Sequence, residues 1–274
     1  MFRKTRDYLR KLLLREPDSD IREFLKRNFV LRHGYGECLS TEELIKTFVK
    51  IYKNCPKSFQ PTLIDLAPAS HSQLLQDLFV ISELGELRDQ GTFIEFGATN
   101  GIDLSNSWLL EKKLGWRGIL AEPARCWHEA LKKNRQSKIE THCIWSKTGE
   151  TLTFNETQQP ELSSLDKFVD GDMHSYDRSS AKNYSVNTIS LNDLFIKHQL
   201  PSCIDYLSID TEGSEYEILE TFDFKKFSFK VITCEHNYSV RRDQIYDLLT
   251  KHGYQRKYTE LSLFDDWYVL PVVV

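Results

Sequence analysis

Five apolar stretches of this 274-residue chain end in residues that could do chemistry: "FIEFGATNG" (93–101), "ILAEP" (119–123), "IWS" (144–146), "LSIDTEG" (207–213) and "TCEHN" (233–237). The end residues are Glu95 with Gly97 and Gly101, then Glu122, Ser146, Asp210, and finally Glu235, His236 and Asn237. A carboxylate at the end of an apolar stretch is costly unless it is hydrogen-bonded or paired with a cation, so the acids define what has to be explained. Gly97 and Gly101 flank a turn where the chain must double back and leave its backbone open to a ligand. With Thr99 between them they do not form the G-x-G-x-x-G dinucleotide fingerprint, which disfavours a nicotinamide or flavin enzyme. Glu122 lies 25 residues beyond Gly97, where an acid ending a second strand can hold a ribose through both hydroxyls.

The elements that must position these groups follow from periodicity. From about residue 71, helices alternate with short strands: "SQLLQDLFVISELGEL" (72–87) before "TFIEFG", "SNSWLLEKKLG" before "RGILAEP", and "CWHEALKKNR" before a third strand, "IETHCIWS". The helix "SLNDLFIKHQL", the strand "IDYLSID", the helix "SEYEILETF", the strand "KVITCEHN" and the helix "RRDQIYDLLTKHG" continue the alternation. This pattern predicts an α/β fold, a parallel sheet with helices on both faces, closed by "YQRKYTE" and "DWYVLPVVV" as an antiparallel pair. In such a sheet ligands bind outside the carboxyl ends of the strands. The interval 146–204 is too long for a simple connection and predicts a lid or binding loop over 155–187, with Ser163, Ser164, Tyr176, Arg178 and Tyr184 as acceptor-binding candidates. Residues 1–70 read as helices broken by Pro and Gly, a small helical extension preceding a 71–274 catalytic domain.

A net charge of -4 and a pI near 6.1 argue against nucleic acid as partner. No apolar run is long enough to span a membrane. The six cysteines show no C-x-x-C spacing, which predicts free, buried thiols and a cytoplasmic location. The N-terminus, "MFRKTRDYLRKLLLRE", lacks the features of a secretory signal and reads as a packed or solvated helix, with peripheral membrane contact as the alternative.

Glu95 precedes the first turn glycine by two residues, a placement that suits a cationic ligand. The ammonium and sulfonium of S-adenosylmethionine fit, held by carboxylates from the first strand end, Glu95, and the fourth, Asp210. The alternative is a structural Glu95 that caps the turn or pairs with Lys112 or Lys113. "SQLLQDLF", "GTFIEFGATNGIDLSNS", "GWRGILAEP", "IDYLSIDTEGSEYEIL" and "VITCEHN", in that order, resemble the FkbM family of S-adenosylmethionine-dependent methyltransferases over roughly residues 70–270. Asn100 stands where that family commonly has aspartate, and the first 70 residues lie outside its core. The resemblance implies a class I, Rossmann-like methyltransferase fold and methylation of a hydroxyl, often on a sugar of a natural product or surface glycan. It makes Glu95, Gly97, Gly101, Glu122 and Asp210 cofactor contacts, with Gln73, Ser105 and Asn106 as additions and Ser146 facing the adenine.

Methyl transfer to a hydroxyl needs alignment behind the methyl carbon and a means of removing the proton. His236 is the expected base, oriented by Glu235, with Asp210 completing the catalytic set. A Mg²⁺ ion held by Asp210 and Glu235, with Glu212 and Asn237 as further oxygen donors, is the competing device, and Asn237 is otherwise expected to bind the acceptor. "DTEG" stands where a base-directed amino methyltransferase would carry an Asn/Asp-Pro-Pro-aromatic run. A non-catalytic cofactor-binding or scaffold protein of the same fold is the alternative from another class.

Overall fold

The computed structural model describes residues 41–85, 90–157, 164–165 and 182–271. The basic segment 1–16, Cys38, Ser163, Tyr176 and Arg178 lie outside the described residues, and so does most of the expected lid. The chain forms two compact units, Met1–Arg88 and Asp89–Val274.

In the first unit, α1 (Thr41–Asn54) buries Leu44, Ile45, Phe48 and Ile51 along one stripe, as its three- and four-residue apolar spacing requires. After α2 (Gln60–Leu66) the chain enters α3 (Gln76–Leu84) through a hydrogen-bonded turn around Asp77. The Asp77 carboxylate accepts from the Ser70 hydroxyl (2.7 Å) and the Leu78 N–H (2.8 Å), and burial pushes its pKa up to about 6. The helix expected over 72–87 thus belongs to the same unit as the extension. Gln73 sits in the turn before α3.

The second unit is built on a seven-stranded sheet. Its elements are β1 (Thr92–Phe96), α4 (Trp108–Leu114), β2 (Arg117–Ala121), α5 (His128–Asn134), β3 (Lys138–Glu140), β4 (Cys143–Trp145), β5 (Thr151–Glu156), β6 (Ser164–Leu165), β7 (Lys182–Ser190), α6 (Leu191–His198), β8 (Cys203–Ile209), α7 (Glu215–Glu220), β9 (Ser228–Glu235), α8 (Arg241–Lys251), β10 (Gln255–Lys257) and β11 (Asp265–Val269). The order is β3-β2-β1-β8-β9-β11-β10. All pairings are parallel except those of β11 with β9 and β10, so the expected closing antiparallel pair is present. The chain runs outward from β1 through β2 to β3 and returns on the other side of β1 as β8. The crevice between the carboxyl ends of β1 and β8 is therefore the point where strand order reverses.

One face of the sheet, carrying Ile94, Phe96, Ile119, Leu207, Ile209 and Ile232, is covered by apolar residues of α6, α7 and α8, including Leu194, Ile218 and Leu249. The opposite face carries Phe93, over whose ring the Arg135 guanidinium lies at 5.7 Å from the centroid. Both faces being covered is why the parallel strands read as unbroken apolar runs.

The structure corrects two expectations here. "IETHCIWS" is not one strand: β3 ends at Glu140, and β4 begins a second, four-stranded sheet of order β4-β7-β5-β6. The break is held by Glu140, whose buried carboxylate accepts from Lys197 Nζ (2.7 Å), with His142 and His198 also bonded to it. The interval read as a loop also contributes long strands, with β5 and β7 antiparallel from Thr151↔Asn187 to Glu156↔Lys182. The described cysteines are free, but Cys126 and Cys203 are exposed rather than buried.

Candidate active site

Four loops meet at the carboxyl end of the main sheet. The first, after β1, doubles back at Gly97 (φ +74), whose N–H donates to the Ala121 carbonyl of the neighbouring strand at 3.1 Å. A β-carbon on Gly97 would stand 2.2 Å from the Asp210 carbonyl oxygen, so only glycine lets this turn approach the end of β8. Gly101 (φ +79) is required for another reason: its β-carbon would meet Leu131 and Arg135 of the α5 region at 2.6 Å. Asn100 closes the loop by accepting the N–H groups of Ile102 (2.8 Å) and Asp103 (2.9 Å), a task an aspartate could also perform.

Glu95 is buried at 3% exposure, and its partners are protein groups. Its oxygens accept from the Asn106 N–H (2.7 Å) and from the Ser105 (3.0 Å) and Ser107 hydroxyls. Behind them lies Arg135, itself buried, with Nη1 3.7 Å from Glu95, Nε 3.0 Å from Glu111 and further bonds to the Gly101 carbonyl, Ser105 and Ser107. The carboxylate thus caps the turn leading into α4, and its cation is Arg135. Neither Lys112 nor Lys113 takes that place; Lys112 pairs with Glu111. Ser105, expected to touch cofactor, is likewise engaged in this network. Sequence reading missed Arg135, Glu111 and Ser107, because their shared contacts join segments up to 40 residues apart.

Asn106 is different. Its amide nitrogen donates to Ser208 Oγ on β8 (3.0 Å), which holds the side chain across the β1–β8 crevice, while its carbonyl oxygen Oδ1 is buried with no hydrogen-bond partner. An orphaned buried acceptor is rare and marks a place for a donor. The ammonium of S-adenosylmethionine is such a donor, so the residues present fit that group at Asn106.

Glu122, at the end of β2, accepts from the Thr99 N–H through one oxygen and the Ala124 N–H through the other, both at 2.8 Å. It ties the glycine turn to the second loop, and burial raises its pKa to about 7. Each oxygen keeps a lone pair for a ribose hydroxyl. Ser146 follows β4 and so belongs to the second sheet rather than to the end of the third main-sheet strand. That sheet packs Phe154, Val186 and Trp145 against Ala124. Tyr184, expected to meet an acceptor, is built into this contact: its hydroxyl bonds Glu156 (2.7 Å) and the Arg125 N–H (3.0 Å), and the Arg125 guanidinium covers its ring at 4.2 Å. For Ser164, the described feature is its backbone pairing with Asn155.

The third and fourth loops bring acids together. Asp210, Glu212 and Glu235 each place an oxygen within 4.8 Å of the others. Burial and the surrounding acids, Asp210 first among them, hold the Glu235 carboxyl well above the usual range; burial raises Asp210 to about 6, opposed by the hydrogen bond from Glu235. Burial and mutual repulsion thus oppose ionising both carboxyls together, and the hydrogen bond between them favours one shared proton. Glu235 Oε2 has no partner. Asn237 joins this group, its amide 3.4 Å from Glu212 Oε2.

His236 does not. Successive residues of an extended strand point to opposite sides, so Glu235 turns toward Asp210 while His236 turns toward β11, with Nε2 3.8 Å from Asp266. Its Nδ1 lone pair accepts the Tyr238 N–H at 3.0 Å, and burial lowers its pKa to about 4. A ring whose basic nitrogen is engaged and whose proton affinity is this low is a poor base at neutral pH, and Glu235 does not orient it.

Among the described residues no helix is long and apolar enough to cross a membrane. No curated protein sequence matches the chain. M. capricolum TrmK in complex with S-adenosyl-homocysteine is similar at 13% identity and TM-score 0.34, over 69% of this chain and 65% of that one, so this chain spans just under two thirds of TrmK. A fibrillarin/Nop5p complex is similar at 11% identity and TM-score 0.33, over 72% of this chain and 82% of that one. The family model for the methyltransferase FkbM domain matches residues 95–256, from the buried Glu95 into β10. With more than half its length matched, including every loop of the site just described, the chain belongs to the FkbM methyltransferase family, whose methyl donor is S-adenosylmethionine.

Proposed function

We propose that this protein is an O-methyltransferase acting on a hydroxyl of a carbohydrate acceptor. The observation that carries this reading is the convergence of Asp210, Glu212 and Glu235, each with an oxygen within 4.8 Å of the others, next to the crevice at which Asn106 offers an unpartnered acceptor. Bound S-adenosylmethionine supplies an electrophilic methyl group on a sulfonium. This chain's residues would orient it: Asn106 Oδ1 toward the ammonium, Glu122 toward the ribose, and Gly97 providing the close backbone approach. An incoming hydroxyl must lose its proton as its oxygen takes the methyl group. Asp210, ionised above about pH 6, is the base that accepts it, and the hydrogen bond from Glu235 holds the carboxylate in place.

A second reading has its own observation in the three converging acids. Asp210, Glu212 and Glu235 are oxygen donors of the kind that hold Mg²⁺, and a cation there would relieve their mutual repulsion and lower the pKa of a coordinated hydroxyl. Loss of turnover on exhaustive chelation, restored by Mg²⁺, would select it; turnover that survives chelation selects the carboxylate base.

Titration calorimetry with S-adenosylmethionine tests the cofactor, and no binding at millimolar concentration refutes the enzyme. Mass spectrometry of surface glycans from cells with and without the gene tests the acceptor. The expected difference is one methylene on one sugar residue. Cofactor binding without any change in glycans or turnover would favour a non-catalytic binding protein.

A further inference from the structure

The polar row behind Asn106 runs deeper than its contact with Ser208. Ser208 lies opposite Glu95 in the pairing of β1 with β8, and opposite Thr233 in the pairing of β8 with β9. Tyr206, two residues back along β8, shares the face of Ser208, as the twofold period of a strand requires. Its phenol oxygen is 2.8 Å from Thr233 Oγ1 and also hydrogen-bonds the Ser208 hydroxyl. Three hydroxyls from two strands thus stand in line behind one amide, with Tyr206 0%, Ser208 1% and Thr233 1% exposed. The alternate positions Leu207, Ile209 and Ile232 belong to the apolar core, so a buried polar row beside them is costly unless its members satisfy one another.

A hydroxyl has a single hydrogen to give, so the row has a direction. Asn106 Nδ2 donates to Ser208 Oγ at 3.0 Å, which leaves the Ser208 hydrogen for the Tyr206 oxygen and the Tyr206 hydrogen for Thr233 Oγ1. Run this way, the row holds the amide with its nitrogen inward and Oδ1 toward the crevice. Run the other way, with Ser208 donating to the amide oxygen, the same side chain would set an NH2 donor against the ammonium. The Asn106 backbone takes no part in the choice, because its N–H is held by Glu95 at 2.7 Å. We infer that Tyr206 is a positioning residue of the cofactor site: by taking the Ser208 hydrogen it keeps Asn106 Oδ1, rather than its NH2, turned to the ammonium of S-adenosylmethionine. This rests on the placement of that ammonium at Asn106 and deepens it. With the phenol gone, the Ser208 hydrogen turns to the amide oxygen and the amide turns over.

Calorimetry on the full chain with two probes tests this. S-adenosyl-homocysteine carries the ammonium, whereas methylthioadenosine has the same adenosine and thioether without the amino acid end. Tyr206→Phe, which removes only the hydroxyl, should weaken S-adenosyl-homocysteine by about tenfold or more, the loss of one charge-assisted hydrogen bond, and leave methylthioadenosine unchanged. Asn106→Ala should show the same selective loss. Adding Tyr206→Phe to it should cause no further loss, since both act on one contact. Where Tyr206→Phe does not fold, Ser208→Ala carries the same comparison, with the loss again confined to S-adenosyl-homocysteine. Equal loss for both probes marks a merely structural Tyr206 and overturns the inference. Unchanged S-adenosyl-homocysteine affinity in Tyr206→Phe, or a further loss when it is added to Asn106→Ala, overturns it too. If the wild type binds both probes equally, the ammonium is not held at Asn106, and this inference falls while the methyltransferase reading stands. If the wild type binds neither, both fall.

Discussion

Glu95→Ala separates the two jobs a carboxylate at the first strand end can have. In the structure this side chain is 4% exposed and the Arg135 side chain 0% exposed. Truncation strands the buried Asn106 N–H, which costs about 1–3 kcal/mol. It also removes the acceptor of the Ser105 and Ser107 hydroxyls, each bond worth about 1 kcal/mol where the hydroxyl finds no other partner. Arg135 keeps Glu111 and the Gly101 carbonyl, so the guanidinium is not left bare, and the contribution of its 3.7 Å contact with Glu95 is the smaller part. The expected total is about 3–5 kcal/mol, the range found when one partner of a buried ionic network is removed. Against a typical total stability of about 5–15 kcal/mol that is a large fraction. Urea unfolding should show it as a lower midpoint with an unchanged slope. Glu95→Gln, which leaves one oxygen for the Asn106 N–H, should lose about half as much. Calorimetry with S-adenosyl-homocysteine on the same variants completes the test. If Glu95→Gln unfolds at the wild-type midpoint yet binds at least a hundredfold more weakly, Glu95 is a direct ligand of the cofactor's cation and the capping role is refuted.

Gly97→Ala puts a β-carbon against the Asp210 carbonyl at a left-handed φ; the expected loss is at least about 2 kcal/mol by urea unfolding, together with loss of S-adenosyl-homocysteine binding. Glu122 has a pKa raised from 4.5 to about 7 in the folded protein, so the folded state holds more protons than the unfolded state between these values, and stability falls as pH rises through the window. Cofactor-free Glu122→Gln should escape this fall, gaining up to about 3 kcal/mol relative to wild type between pH 4.5 and pH 7 in denaturation series; parallel pH profiles would rule out a strained, buried Glu122. Glu140 behaves in the opposite sense: Lys197, His142 and His198 overcome its burial and hold its pKa at about 2, so its contribution is complete above pH 4.5 and lost as pH falls toward 2. Glu140→Gln should therefore be destabilised at neutral pH by about 2–3 kcal/mol and converge on wild type in acid. A gap that persists unchanged to pH 2 would place its origin outside this ion cluster.

Much of the fold was legible because parallel strands covered on both faces are written as continuous apolar runs, and helices as three- and four-residue stripes. The residues "FIEF", "ILA", "YLSI" and "VITC" therefore located four strands and, with them, the strand ends where a ligand binds. Gly97 and Gly101 could be read as obligatory turn positions for the same local reason: left-handed backbone is a property of the residue itself. The second sheet was not legible, because Thr151–Glu156 and Lys182–Ser190 pair with each other across an interval of the chain, and each takes its other neighbour, β6 or β4, from a further segment. Nor was the division of labour among the acids. Types and spacing determined that this protein has carboxylates at the strand ends of a methyltransferase sheet. Tertiary structure decided which of them face one another: Glu95 turned to Arg135, Glu235 to Asp210 and away from His236. That choice depends on distance and burial between groups remote in sequence, and electrostatic energy in a low-dielectric interior is set by those distances rather than by residue type.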